Sequence, residues 1–286
     1  MAAAHVPAFP PSLRVGTSSF ASADWVGVFY PPGTRPEGYL PSYAERFDTV
    51  EIDSSFYGTP TPKQVEGWRA RTPDGFVFAA KVPQVVSHTE VSAESMDELA
   101  KFLDVMRGLG PKLGPLLFQF PYIARARDAE EWSTGARFRA RLATLIEHLP
   151  EDLRFAVEVR NDRWIAPPLL GLLRSRRVAL AFVDYYTMPM MARIAAHPGS
   201  VTADFAYVRF LGNHKEMDAK VERKAAAGGR RWDALVQDRT ADVNAWLPAL
   251  RQLAVRIQRT YVFFNNHYAG HAPASIELFR SLWTRY

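Results

Sequence analysis

A closed (β/α)8 barrel, an α/β TIM barrel with some irregular or shortened helices, is the fold class this sequence predicts. Three observations carry it. Eight short runs rich in Val, Phe and Ile suit buried strands, most gaps between them hold a crossover helix, and nearly every run ends in a charged or amide side chain. The runs are 13–17, 49–53, 76–81, 116–120, 155–160, 180–184, 205–210 and 261–265. A chain of 286 residues accommodates such a barrel as one domain over 12–286, with 1–11 read as a loose leader. Catalytic side chains in this fold sit at the C-terminal ends of the strands. The polar endings therefore make a candidate list.

The helices follow in order. Helices are expected over 62–71 and 95–109, the second with Asp97 and Glu98 near its positive end. Phe138, Leu142, Leu145 and Ile146 form an apolar stripe over 135–149, and 168–175 is a short helix. The period persists over 235–258, with Pro248 expected to split or kink the element. Pro273 opens the last helix, whose apolar face is Ile276, Phe279 and Trp283. The segment 188–196 leaves little room for a full helix.

Alternation sharpens the site. Phe155, Val157 and Val159 share one strand face, so Ala156, Glu158 and Arg160 point into the barrel. The same logic turns Glu51, Asp53 and Lys81 inward, while Gln119, Asp184, Arg209 and Asn265 are placed at the mouth by strand-end position alone. Unpaired buried charges are costly, so these groups are expected to pair with one another. Buried ion pairs are often no more stabilising than apolar residues of similar volume, so a whole polar tier at this end points to a ligand.

Composition narrows the classes. The absence of cysteine removes disulfides, thiolate ligands and a cysteine nucleophile. No apolar stretch reaches the roughly 18 residues of a membrane span, and a cytoplasmic location is the expectation. A formal charge of +5 bears on solubility and identifies no ligand. The basic stretch 214–231 also carries Glu216, Asp218 and Glu222, and reads as a solvated surface loop.

Several segments resemble the YecE-like proteins, the family called domain of unknown function 72. They are GTSSF at 16–20, Trp25 with FYP at 29–31, FDTVEIDSSFY at 47–57, Trp68 with TP at 72–73, FVFAAK at 76–81, LFQFP at 117–121, EVR at 158–160 with Trp164, and FNN at 264–266. The resemblance implies a TIM barrel and no established reaction. His88 fits the family pattern, whereas Asn161 and Leu211 stand where that pattern has histidines.

Three chemistries are open to such a site. Glu51, Glu158, Asp184 and His267 are an oxygen-rich donor set of the type that takes a divalent Mg or Mn ion. Alternatively Glu158, its pKa raised by Glu51 and Asp184, acts as a metal-free acid–base group. The start of the last helix, at Gly270, Ala272 and Pro273, is a third candidate, for binding an anion. Trp25, Phe29, Tyr30, Phe56, Tyr57, Trp164, Tyr185, Tyr186 and Tyr268 lie on or just past strand ends and offer stacking surfaces. The expectation is an enzyme, hydrolytic or isomerising, acting on an anionic substrate such as a nucleotide, nucleic acid or phosphosugar. Glu51, Glu158, Asp184 and Lys81 take the catalytic roles. Arg160, Arg209, Asn265, Asn266, Trp164, Tyr57, Gln119 and His88 bind substrate. The alternatives are a protein that binds nucleotides or single-stranded nucleic acid without transforming them, and a partner-binding scaffold.

Overall fold

The computed structural model describes residues 9–123, 135–188 and 191–285. Its strands are β1 (Leu13–Thr17), β2 (Thr49–Ile52), β3 (Val77–Lys81), β4 (Leu113–Gln119), β5 (Phe155–Glu158), β6 (Ala179–Tyr185), β7 (Phe205–Gly212) and β8 (Arg259–Phe264). All ladders are parallel, from β2 through β8 in sequence order, and β8 returns to β1. This is the expected (β/α)8 barrel.

The β1–β2 seam is joined differently. Tyr43 lies in helix α1 (Pro36–Ala44), and its hydroxyl accepts from Thr17 N at 2.8 Å and donates to Thr49 O at 3.0 Å. One phenol thus does there what a ladder does elsewhere. Gly16 permits the approach, because a Cβ at that position would lie 2.1 Å from Thr49 O.

The remaining helices are α2 (Pro62–Ala70), α3 (Gln84–His88), α4 (Ala93–Arg107), α5 (Ala136–Glu147), α6 (Pro167–Ser175), α7 (Met191–Ala196), α8 (His214–Ala226), α9 (Thr240–Arg256), α10 (Asn266–Ala269) and α11 (Ala272–Trp283). Thr61 and Gln64 form a reciprocal capping box that starts α2, with Pro62 in its first turn. The stripe Phe138, Leu142, Leu145 and Ile146 is the buried face of α5, as the period predicts.

Two expectations need correction. The 214–231 stretch is not a loop, since most of it is α8, which buries Met217 and Val221 one turn apart behind an Asn213 cap. Two apolar residues in a charged segment are too few to announce a helix. Pro248 does not split α9, which begins at Thr240 and runs through the proline, burying Trp246, Leu247 and Leu250 against its neighbours. Tertiary burial there outweighs one missing hydrogen bond. Of the expected leader, residues 9–11 are docked, with Phe9 stacked on Phe279 at 5.2 Å, and residues 1–8 lie outside the described ones.

Inside the barrel, Ala79, Leu117, Ala156, Ala179, Ala181, Phe205, Tyr207, Tyr261 and Phe263 form their own buried cluster. Small residues on β3, β5 and β6 leave the space that rings from β7 and β8 fill. Above this plug, the inward positions become Glu51, Lys81, Gln119, Glu158 and Arg209, all buried.

Candidate active site at the barrel mouth

The floor of the mouth is a closed ion network. Arg209, on β7, donates through Nη2 to Glu51 Oε1 at 2.7 Å and through Nη1 to Glu158 Oε2 at 2.5 Å. Tyr207, two residues earlier on the same inward face, donates to Glu51 Oε2 at 2.5 Å. Arg160 completes the set, its Nε 2.9 Å from Glu158 Oε1. Every oxygen of the two carboxylates is therefore engaged. Burial pushes the Glu158 carboxyl up, but Arg209, Arg160 and Lys81 outweigh it and hold its pKa at about 2. This corrects the expectation of a raised value: the surrounding cations favour the ionised form of Glu158.

A cationic corner rises from this floor between β3 and β5. Lys81 pairs with Asp53 and lies 5.0 Å from the centroid of the Phe56 ring. Arg160 lies over Tyr185 at 4.5 Å. His88, at the end of α3, meets Phe56 edge-on at 5.2 Å. Arg141 reaches in from α5 and donates to Ser87 O at 3.0 Å. The field of this corner registers on His88, whose pKa is lowered by burial and by Arg160, Arg141 and Lys81. Phe56, Tyr57, Tyr185 and Tyr186 border the opening, with Tyr57 at 75% and Tyr186 at 60% exposure. Gln119 is buried beside Glu158 in the β4–β5 ladder.

Two histidines lie just past the ends of β7 and β8. His267 lies between Asn265 Oδ1, 2.8 Å from Nδ1, and Asp218 Oδ1, 3.1 Å from Nε2. Its ring stacks on His214 at 4.2 Å, and Trp232 packs beside it at 4.6 Å. His214 touches the Tyr185 ring edge-on at 5.7 Å. The roles of His214, Arg141, Asp218 and Trp232 escape the sequence, because none lies on a strand end. The one available signal was the position of His214, five residues past Arg209.

Asn265 reaches the site as the partner of His267, and the remaining candidates do not join it. Asp184 lies on the outer face of β6, accepting from Trp246 Nε1 of α9 at 2.9 Å. Ala179 and Ala181 take the inward face, so strand parity sends residue 184 the other way. Burial pushes its carboxyl up to about 6, against the Trp246 hydrogen bond. Trp164 is a packing residue, stacked on Phe138 at 4.6 Å. Trp25, Phe29, Tyr30 and Tyr268 are buried in the outer core. Asn265 caps α10 through its contact with His267 N, and Asn266 Oδ1 accepts from Ala272 N at 2.9 Å. That bond occupies the first amide of α11, and the chain packs closely at Gly270, where an added Cβ would lie 2.7 Å from Ala234 O. At the two positions without a family histidine, Leu211 is buried and Asn161 bonds both backbone polar groups of Ile123.

The expected metal set of Glu51, Glu158, Asp184 and His267 is not assembled. Cations and Tyr207 hold the glutamates, and Asp184 faces away. Among the described residues no group of three His, Asp or Glu side chains is placed to hold a metal ion. No helix among them is long and apolar enough to cross a membrane.

Fold and mouth together define an α/β barrel protein with a deep ion-paired floor and a polar, aromatic-rimmed opening. The chain belongs to the family described as protein of unknown function DUF72, whose model matches residues 14–285. It is similar to UPF0759 protein YunF of Bacillus subtilis, 26% identical across 91% of this chain and 90% of that protein. UPF0759 protein YecE of Escherichia coli K12 is 31% identical over 44% of this chain and 43% of its own length. A DUF72 family crystal structure from Thermotoga maritima superposes with a TM-score of 0.69 and 26% identity, covering 94% of this chain and 98% of that one. D-psicose 3-epimerase, at 10% identity and a TM-score of 0.52 over 94% of this chain and 95% of its own, shares the fold alone.

Proposed function

We propose that this protein is an enzyme acting on a small anionic molecule at the barrel mouth. The observation that carries this reading is the convergence of Arg160, Lys81, Arg141 and His88 on one corner, where burial first and then the three cations lower the His88 pKa. Arg160 is tied to the floor through Nε and reaches the Tyr185 hydroxyl through Nη1 at 3.4 Å, which fixes its guanidinium plane beside the rim tyrosine. A planar fork held in this way suits a phosphate or a carboxylate. Lys81 supplies a second, point-like charge. Phe56, Tyr57, Tyr185 and Tyr186 offer faces for a ring attached to that anion, as in a nucleotide or a phosphosugar. Glu51, Glu158 and Arg209 are the rigid base that orients Arg160.

Exposed Tyr57 and Tyr186 beside a basic corner also favour a second reading, a protein that binds single-stranded nucleic acid and leaves it unchanged. One experiment separates the two. Wild type and Arg160→Gln are incubated with sugar phosphates, nucleotides and short single-stranded oligonucleotides, following consumption by mass spectrometry and binding by calorimetry. Consumption that is lost in Arg160→Gln supports the enzyme. Oligonucleotide binding without consumption selects the second reading, and no anion bound by either protein overturns both.

A further inference from the structure

His267 has an acceptor at each ring nitrogen. Nδ1 faces Asn265 Oδ1 and Nε2 faces the Asp218 carboxylate. The Asn265 amide is not free to flip, because the same Oδ1 accepts from His267 N at 2.9 Å. A neutral imidazole has one donor and one acceptor, so it would turn a bare nitrogen toward one of these oxygens. The imidazolium satisfies both. Burial lowers the His267 pKa, Asp218 opposes this by charge and by hydrogen bond, and Arg231 and Asp53 make smaller, opposed contributions.

His214 is the reverse case. Its Nε2 is buried without a hydrogen-bond partner among the described residues. Burial, the stacked His267, Arg160 and Arg209 hold its pKa down at about 4, with Asp218 opposing. It touches Tyr185, and Tyr185 carries Arg160 on its face, so the neutral imidazole lies beside the place where an anion would dock.

We infer that His214 is the proton acceptor of this mouth, and that His267 with Asp218 is a positioning pair that holds the neighbouring proton and keeps His214 neutral. The inference rests on the anionic-substrate reading and adds a reaction class. A hydrogen bonded to carbon or oxygen of the anionic molecule leaves as a proton, its bonding electrons stay with the substrate, and the proton ends on the His214 imidazole. A neutral acceptor beside fixed cations suits that step, since the negative charge that develops meets Arg160.

The test is 15N NMR of the imidazoles in the full-length chain from pH 4 to 8, with and without inorganic phosphate. As pH falls through this range, His267 is expected to become protonated on both nitrogens before His214 takes up its second proton. Asp218→Asn, at a half-exposed position, should deprotonate His267 and move the His214 pKa upward, because the stacked cation acts on His214 more strongly than Asp218 does. A His214 that protonates before His267 as pH falls, or a His214 pKa that Asp218→Asn leaves unmoved, overturns the inference. Phosphate binding is scored separately on the same samples. Bound phosphate should raise the His214 pKa in wild type and not in Arg160→Gln, and a His214 indifferent to bound phosphate also overturns the assignment. Failure of phosphate to bind counts against the anion reading, while the imidazole pattern still decides the histidine pair.

Discussion

Glu158 and Asp184 are both buried carboxylates, and their surroundings push them in opposite directions. Glu158 is held at about 2 by three cations, below an ordinary value of 4.5. A depressed folded pKa contributes stability that is full above about pH 4.5 and is lost as pH falls toward 2. At about 1.4 kcal/mol per unit this amounts to roughly 3 kcal/mol. Glu158→Gln removes the charge from between Arg209 and Arg160, and is expected to cost about 3 kcal/mol or more in denaturant unfolding at pH 7. That penalty should shrink steadily below pH 4.5. A penalty of the same size at pH 7 and pH 2.5 would contradict this account of the floor. Asp184 has the opposite sign, because its folded value of about 6 lies above the ordinary 3.8. Its ionised form is penalised above pH 6 and the penalty is absent below 3.8. Asp184→Asn keeps an acceptor for Trp246 and should raise the melting temperature at pH 8 while changing little at pH 4. Equal melting temperatures at pH 8 would show that the carboxylate is better solvated than its burial indicates.

The β1–β2 seam and α8 are elements that the sequence displays poorly. The seam depends on Tyr43, whose hydroxyl serves Thr17 N and Thr49 O together. Tyr43→Phe keeps the ring and leaves both backbone groups buried without that partner, at an expected cost of about 1–3 kcal/mol. Hydrogen exchange should then accelerate at Thr17 more than at β5 amides, and uniform acceleration would argue against a local seam. Strand positions were legible in the sequence because buried parallel strands are short apolar runs with sharp polar ends. Helix α8 was hidden because its inward face is only Met217 and Val221, and α1 because its stripe of Tyr39, Leu40 and Tyr43 is interrupted by Pro41.

For the whole molecule, the barrel was legible and the mouth was legible in part. Alternation found Glu51, Lys81, Glu158 and Arg160, because one inward residue fixes the parity of a strand. Strand-end position alone found Arg209 and failed for Asp184, where the alanines already fill the inward face. His214, Arg141 and Asp218 come from helices whose approach to the mouth depends on packing that one sequence does not display. The signs of the charges were readable, but their pairing was not. Arg209 takes both glutamates at once, which ties the two expected catalytic carboxylates into one floor and leaves Arg160 with Lys81 as the face proposed to meet an anion. Affinity for an anion at that face should fall only modestly as salt rises from 50 to about 500 mM, since Arg160 and Lys81 are mostly buried and screening acts less on buried charges.

The central claim is that Arg160 and its corner recognise an anion. It is tested most directly by thermal shift of wild type, Arg160→Gln, Arg160→Lys and Asp184→Asn against matched phosphorylated and unphosphorylated sugars and nucleosides. The account predicts that at least one phosphorylated compound stabilises wild type and Asp184→Asn, that Arg160→Lys retains part of the effect, and that Arg160→Gln loses it. Stabilisation that survives in Arg160→Gln, or that is as large for the unphosphorylated partner, would contradict it.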